Sequence, residues 1–122
     1  MVVLLRQGYH VFVSRLEFDL LGHPPSANKR LHHMARWRSN RDWKGWTHLA
    51  LMDAVNRGKV TGLPWSRIHV RYVFHYPRVT HADLDNLLGS MKPCQDGMVG
   101  IVGDKDDSEH IHDLSASVEV VR

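Results

Sequence analysis

Apolar and polar residues alternate in three places along this 122-residue chain. Leu16, Phe18 and Leu20 alternate with Arg15, Glu17 and Asp19. Ile68, Val70, Tyr72, Phe74 and Tyr76 alternate with His69, Arg71 and His75, and Pro77 ends the run. Leu114, Ala116, Val118 and Val120 alternate with Ser115, Ser117 and Glu119. A period of two places the two sets on opposite faces of an extended chain, so each segment is predicted as a half-buried strand. Two other stretches have helical spacing. Trp43, Trp46, Ala50, Leu51 and Ala54 line one face of a helix predicted over 40–57, with Ser39 and Asp42 as a capping box and Gly58 as its stop. Leu84, Leu87, Leu88, Met91, Cys94 and Met98 predict a second helix over 83–98, which Pro93 should kink or split near Gly89. The apolar run Met1–Leu5 is too short for a signal-peptide core or a membrane span, and reads as a strand or an N-terminal flap. This order predicts a single small α/β (α+β) domain over 1–122. It is a β-α-β-α-β mixed sheet with helices packed on it, and 1–14 form an N-terminal extension of uncertain structure.

Hydrophobic residues make up 43% of the chain, enough for a core of its own. Cys94 is the only cysteine, which excludes an internal disulfide and a cysteine-based zinc site and implies a reducing, cytoplasmic setting. The formal net charge of +3 says little by itself; its distribution says more. The segment His23-Pro24-Pro25-Ser26-Ala27-Asn28 breaks regular structure. Beyond it Lys29, Arg30, Arg36, Arg38, Arg41 and Lys44 gather in one stretch, predicted as a loop leading into the first helix, with Asp42 the only acid among them. Acids concentrate elsewhere, at Asp83, Asp85, Asp104, Asp106, Asp107 and Glu109. A basic surface beside an acidic cluster suits a metal-dependent nuclease, the cations holding phosphates and the carboxylates holding metal ions against them.

Asp83-Leu84-Asp85-Asn86 stands where a loop turns into the second helix. In extended backbone Asp83 and Asp85 would share one direction, with Leu84 turned into the core. Hard oxygen ligands of this kind suit Mg²⁺ or Mn²⁺, although aspartates at a helix start also serve as ordinary caps. Asp104-Lys105-Asp106-Asp107-Ser108-Glu109 lacks the glycine and glutamate of an EF-hand loop and alone reads as a solvated run. The two acidic segments flank one helix, whose return could bring them into a shared metal site. On a regular helix Asp85, Gly89, Lys92 and Asp96 form one stripe opposite the leucines, with Lys92 about 10 Å along the axis from Asp85 and Gly89 leaving room for a phosphate. The same stripe also fits a plain solvated face. Among the ten histidines, His32-His33 and His110-x-His112 lack companions at zinc-site spacing. Trp37, Trp43, Trp46 and Trp65 could stack on bases, while Trp43 and Trp46 at helical spacing also fit a core or a dimer interface. Ser26 has no triad partners nearby.

Three blocks together resemble the RusA family of Holliday-junction resolvases, many of them phage-encoded. They are Pro24-Pro25-Ser26-Ala27-Asn28, His81-Ala82-Asp83-Leu84-Asp85-Asn86-Leu87-Leu88 and Asp106-Asp107-Ser108. The resemblance runs from about Phe18 to Val121. It implies a mixed α/β homodimer that binds four-way DNA junctions and cuts paired strands symmetrically with Mg²⁺. It also places the metal-binding aspartates on Asp83, Asp85 and Asp107. The family uses a lysine on the following helix; here Gly89 stands four residues after Asp85, and Lys92, one turn on, takes that expectation.

The sequence thus points to a Mg²⁺-dependent structure-specific endodeoxyribonuclease with no membrane association. Asp83, Asp85, Asp107 and Lys92 are its expected catalytic residues, and Mn²⁺ is a substitute for Mg²⁺. Asn28, Lys29, Arg30, Arg36, Arg38 and Arg41 are the expected DNA contacts. The alternative is a non-catalytic dimeric DNA-binding protein that keeps only the fold.

Overall fold

The first apolar run is a strand, β1 (Val2–Gln7), and it lies inside the sheet. Two strands flank it, β2 (Arg15–Asp19) and β3 (Ile68–Tyr76), both antiparallel to it. A last strand, β4 (Ile111–Val120), pairs in parallel with β3, giving the order β2-β1-β3-β4. The computed structural model describes residues 1–7, 15–25, 30–60, 62–63, 65, 68–76 and 83–102, and the backbone of 111–120.

Register explains why β1 is so apolar. Leu5 stands between Leu16 and Val70, and Val3 between Phe18 and Tyr72, so two rows of side chains cross three strands. Val3, Leu5, Leu16, Phe18, Val70, Tyr72 and Phe74 are all buried, whereas Arg6, Arg15, Glu17, Arg71 and His75 stand exposed on the opposite face. The expected β-α-β-α-β order is therefore corrected to β-β-α-β-α-α-β. Residues 2–7 are an integral strand, where an extension had been expected.

Three helices cover the buried face: α1 (His33–Gly58), α2 (Leu84–Ser90) and α3 (Lys92–Met98). Leu51 and Ala54 of α1 meet Leu87, Met91, Cys94 and Met98 in one cluster with the strand residues. Among the described residues no helix is long and apolar enough to cross a membrane.

α1 corrects the expected helix start. It begins seven residues before Asn40, capped by His32, whose Nδ1 accepts the Met34 N–H at 3.2 Å. Ser39 and Asp42 are therefore interior helical positions and form no capping box. The early turns bury little, since Met34 and Trp37 are exposed, and so carry no apolar stripe for periodicity to find. Trp46, expected on the buried face, is 52% exposed and packs edge-to-face on Trp43 with centroids 5.0 Å apart. Gly58 is the last helical residue, and Lys59 takes the left-handed position after it, at φ +49°.

The second predicted helix splits, but at Met91, two residues beyond Gly89. Pro93 falls in the first turn of α3, where its missing N–H costs nothing. The helix pair forms the crossover that a parallel β3–β4 pairing requires. Its exit is tied down where the Trp65 N–H donates to the Val102 carbonyl at 2.6 Å.

α1 and α3 touch backbone to backbone. A Cβ at Gly97 would collide with the Lys44 carbonyl oxygen and come within 3.1 Å of the Thr47 Cβ. Thr47 is fully buried and donates its hydroxyl to the Trp43 carbonyl at 2.7 Å. Cys94 packs beside it, and burial pushes its thiol up to about 11, a shift that a hydrogen bond with Thr47 partly offsets. Tyr72 is also raised, by burial first and by Cys94 second.

Gly97→Ala should destabilise the fold by about 1–3 kcal/mol, because the obstructing atom is main chain and cannot swing aside. Gly45→Ala, where an added Cβ meets nothing within 4 Å, should stabilise by up to about 1 kcal/mol through helix propensity. Urea unfolding of the two variants checks the opposite signs. A pH effect follows from Cys94. Its folded pKa lies above the ordinary 9.0, so the unfolded chain ionises first. Stability is then complete below pH 9 and falls by about 2–3 kcal/mol as pH rises towards 11. Tyr72 adds a further loss above pH 10. Cys94→Ala should flatten the urea midpoint between pH 9 and 10.

Candidate functional site

The first turns of α1 run past the edge of the core and become one wall of a cleft. The chain after Met91 supplies the other wall. Arg36, Trp37, Asn40, Arg41 and Lys44 line the α1 side, and Lys92, Pro93 and Asp96 the α3 side, with Pro25 and Ser90 at the margins. The cleft volume is about 590 Å³. Residues 36, 40 and 44 recur every four positions and so share one face of α1.

The cleft holds four cationic side chains and one carboxylate. Lys92 is paired with Asp96 at 3.2 Å, and Arg41 with Asp42 at 3.1 Å, both as exposed pairs. The Arg41 guanidinium also stacks on Trp37, 5.1 Å from the ring centroid. No ion pair among the described residues involves Lys44. Exposed pairs of this kind are worth about 0–1 kcal/mol, so a phosphate can exchange into them at little cost.

The expected DNA contacts divide. Arg36 and Arg41 line the cleft; Arg30 and Arg38 are exposed but do not line it. Asn28 and Lys29 lie outside the described residues. Lys44 had been counted in the basic stretch and Trp37 among the tryptophans able to stack on bases, whereas Asn40 had not been singled out. The four-residue spacing from Arg36 to Lys44 was the available signal, hidden because the helix was expected to start at Asn40.

Asp83 and Asp85 are both exposed at the start of α2. Asp83 is the N-cap, extended at φ −74° and ψ 115°, and its Oδ1 accepts the Asp85 N–H at 2.9 Å. Asp85 is already helical, so the two carboxylates are related by cap geometry, where shared strand direction had been expected. Leu84 is corrected as well: it is 45% exposed, because the first helical turn points it away from the core. The Asp83 cap uses one lone pair and leaves its second oxygen, with both oxygens of Asp85, as hard donors. Asp107, with the rest of the 104–109 run, lies outside the described residues. Among the described residues no group of three His, Cys, Asp or Glu side chains is placed to hold a metal. α2 packs against β4, the strand that follows the second acidic segment.

The expected stripe Asp85–Gly89–Lys92–Asp96 is interrupted at Met91, and only its Lys92–Asp96 half persists as a contact. Lys92 therefore faces the basic cleft. Gly89 has open space where a side chain would point.

If the cleft holds a DNA backbone, Lys44→Ala and Arg36→Ala should each weaken that binding and lower the slope of log affinity against log salt by about 0.7–0.9. Arg38→Ala should change the slope less. Titrations between 50 and 200 mM salt decide this, and equal slopes for all three variants would detach the cleft from DNA. A scan against protein-family models, a search of curated proteins and a search of solved structures found no match to this chain.

Proposed function

We propose that this protein is a Mg²⁺-dependent endodeoxyribonuclease of the RusA type that acts on branched DNA, including four-way junctions. The observation that carries the reading is the cleft in which Arg36, Arg41 and Lys44 of α1 face Lys92 of α3. Several cations converging on one concave surface are suited to a DNA backbone, which is held mainly by phosphate contacts.

The exposed pair Asp83 and Asp85 fits a hard divalent ion in donor type, and Asp107 is the proposed third carboxylate. Asp83, Asp85 and Asp107 would hold such an ion, which would supply charge stabilisation at the scissile phosphate and lower the pKa of a water. The chain's own part is to position. Arg36, Arg41 and Lys44 fix the DNA backbone, and Lys92 neutralises phosphate charge once it leaves Asp96. The Asp83 cap fixes the entry of α2 and so the bearing of both carboxylates. Paired cuts at a junction need two sites related by a two-fold axis, so the proposed working form is a homodimer.

A second reading is favoured by one observation: the Asp83 carboxylate is already engaged as an ordinary helix cap. Under that reading the protein binds DNA and cuts nothing. The assay is cleavage of a synthetic four-way junction in Mg²⁺ and in EDTA. Wild-type protein should nick the junction only with Mg²⁺. Asp85→Asn should lose several orders of magnitude in single-turnover rate, with junction affinity equal or higher because repulsion of phosphate falls. Binding without nicking by the wild type would favour the second reading. Normal nicking by Asp85→Asn would remove the acidic pair from the chemistry.

A further inference from the structure

The cleft contains a group that phosphates do not need. Trp37 is 56% exposed, and of the four tryptophans it is the one that lines the cleft. Trp65 is buried in the core, Trp43 packs against it, and Trp46 stacks on Trp43. An indole held in water forgoes a large hydrophobic gain, since a tryptophan buries about 150–250 Å² when covered. Its place in the cleft wall gives that exposed surface a natural use.

Its neighbours set the chemistry of what covers it. The Arg41 guanidinium lies over one face of the ring, 5.1 Å from its centroid, so a cation and an aromatic surface are already layered together in the cleft. Asn40, exposed on the same wall, offers an amide donor and an amide acceptor. Arg36 and Lys44 flank the pair. A basic groove with an aromatic platform is the composition that binds single strands, because every base has a face to stack. In an intact duplex the bases are stacked inside, and the backbone finds cations here but no partner for an indole. The cleft volume of about 590 Å³ falls in the range of sites that enclose a compact ligand.

We infer that this cleft holds an unpaired nucleotide of the DNA substrate, its base stacked on Trp37 and its flanking phosphates held by Arg36, Arg41 and Lys44. The inference rests on the proposed DNA partner and adds which part of branched DNA enters the cleft. Trp37 acts here as a specificity-determining residue, favouring DNA with unpaired bases over continuous duplex.

The test measures binding in EDTA, so a protein that cuts nothing is tested as fairly as one that cuts. Full-length protein is titrated with fluorescein-labelled dT12 and with a 12-base-pair duplex. Trp37→Ala should weaken dT12 binding about 5- to 150-fold, the value of one lost stack, and duplex binding less than twofold. Trp37→Phe should retain most of the dT12 affinity. Intrinsic tryptophan fluorescence should be quenched by unlabelled dT12 in wild type and much less in Trp37→Phe. Because Trp37 is exposed, an unchanged melting temperature should accompany these losses. Equal losses on dT12 and duplex would overturn the inference, as would quenching that survives in Trp37→Phe. If no variant or wild-type protein bound either DNA, the proposed DNA partner itself would fall.

Discussion

Gly97 lets two helix backbones touch, and the arrangement of both surfaces follows from that contact. With the α3 main chain resting on the Lys44 carbonyl, there is no space for even a methyl group between the helices. This closeness seals Thr47 and Cys94 inside the core. It also fixes how far apart the two walls of the basic cleft stand. Lys44 takes part in both: its main chain forms the contact and its side chain lines the cleft. A packing requirement thus sets the spacing of charges that the proposed function uses.

The parts of the fold legible from sequence were those where one face is wet and the other dry. β3 lies where its pattern places it, although Val73 is buried out of step with the alternation. β2 also lies where its pattern places it, with strictly alternating burial from Arg15 to Asp19. The α1 start was illegible for the opposite reason. Residues 33–42 form helix without burying an apolar stripe, and without a stripe periodicity has nothing to detect. β1 was ambiguous because a short apolar run suits a flap or a strand equally, and only pairing with both neighbours decides. The Met91 break was half legible. Pro93 announced an interruption, but the chain places proline in the first turn of a new helix, which moves the break past Gly89.

The candidate site was legible as composition and less so as geometry. Arg36, Arg41 and Lys92 were singled out by charge, and they share a cleft. Lys92 was expected on one stripe with Asp85 and Asp96; the broken helix keeps only its contact with Asp96. Asp83 and Asp85 stand exposed at the α2 start; of the two geometries their sequence context allowed, Asp83 adopts the helix cap, and the extended pair with Leu84 turned inward is not formed. Of the cleft cations only Lys92 sits on the same two-helix unit as Asp83 and Asp85, with α2 and α3 separated by Met91 alone; the others belong to α1. Neither Asp83 nor Asp85 is among the residues that line the cleft.

The proposal depends most on the Asp83–Asp85 pair and the 104–109 run sharing one metal ion. Fe²⁺ substituted for Mg²⁺ generates hydroxyl radicals that cut the polypeptide close to the ion, and mapping those cuts in the wild-type protein tests the sharing directly. The account predicts cuts beside Asp83–Asp85 and within 104–109, both suppressed by excess Mg²⁺ and both lost in Asp85→Asn. Cuts confined to one segment, or cuts spread evenly along the chain, would contradict it.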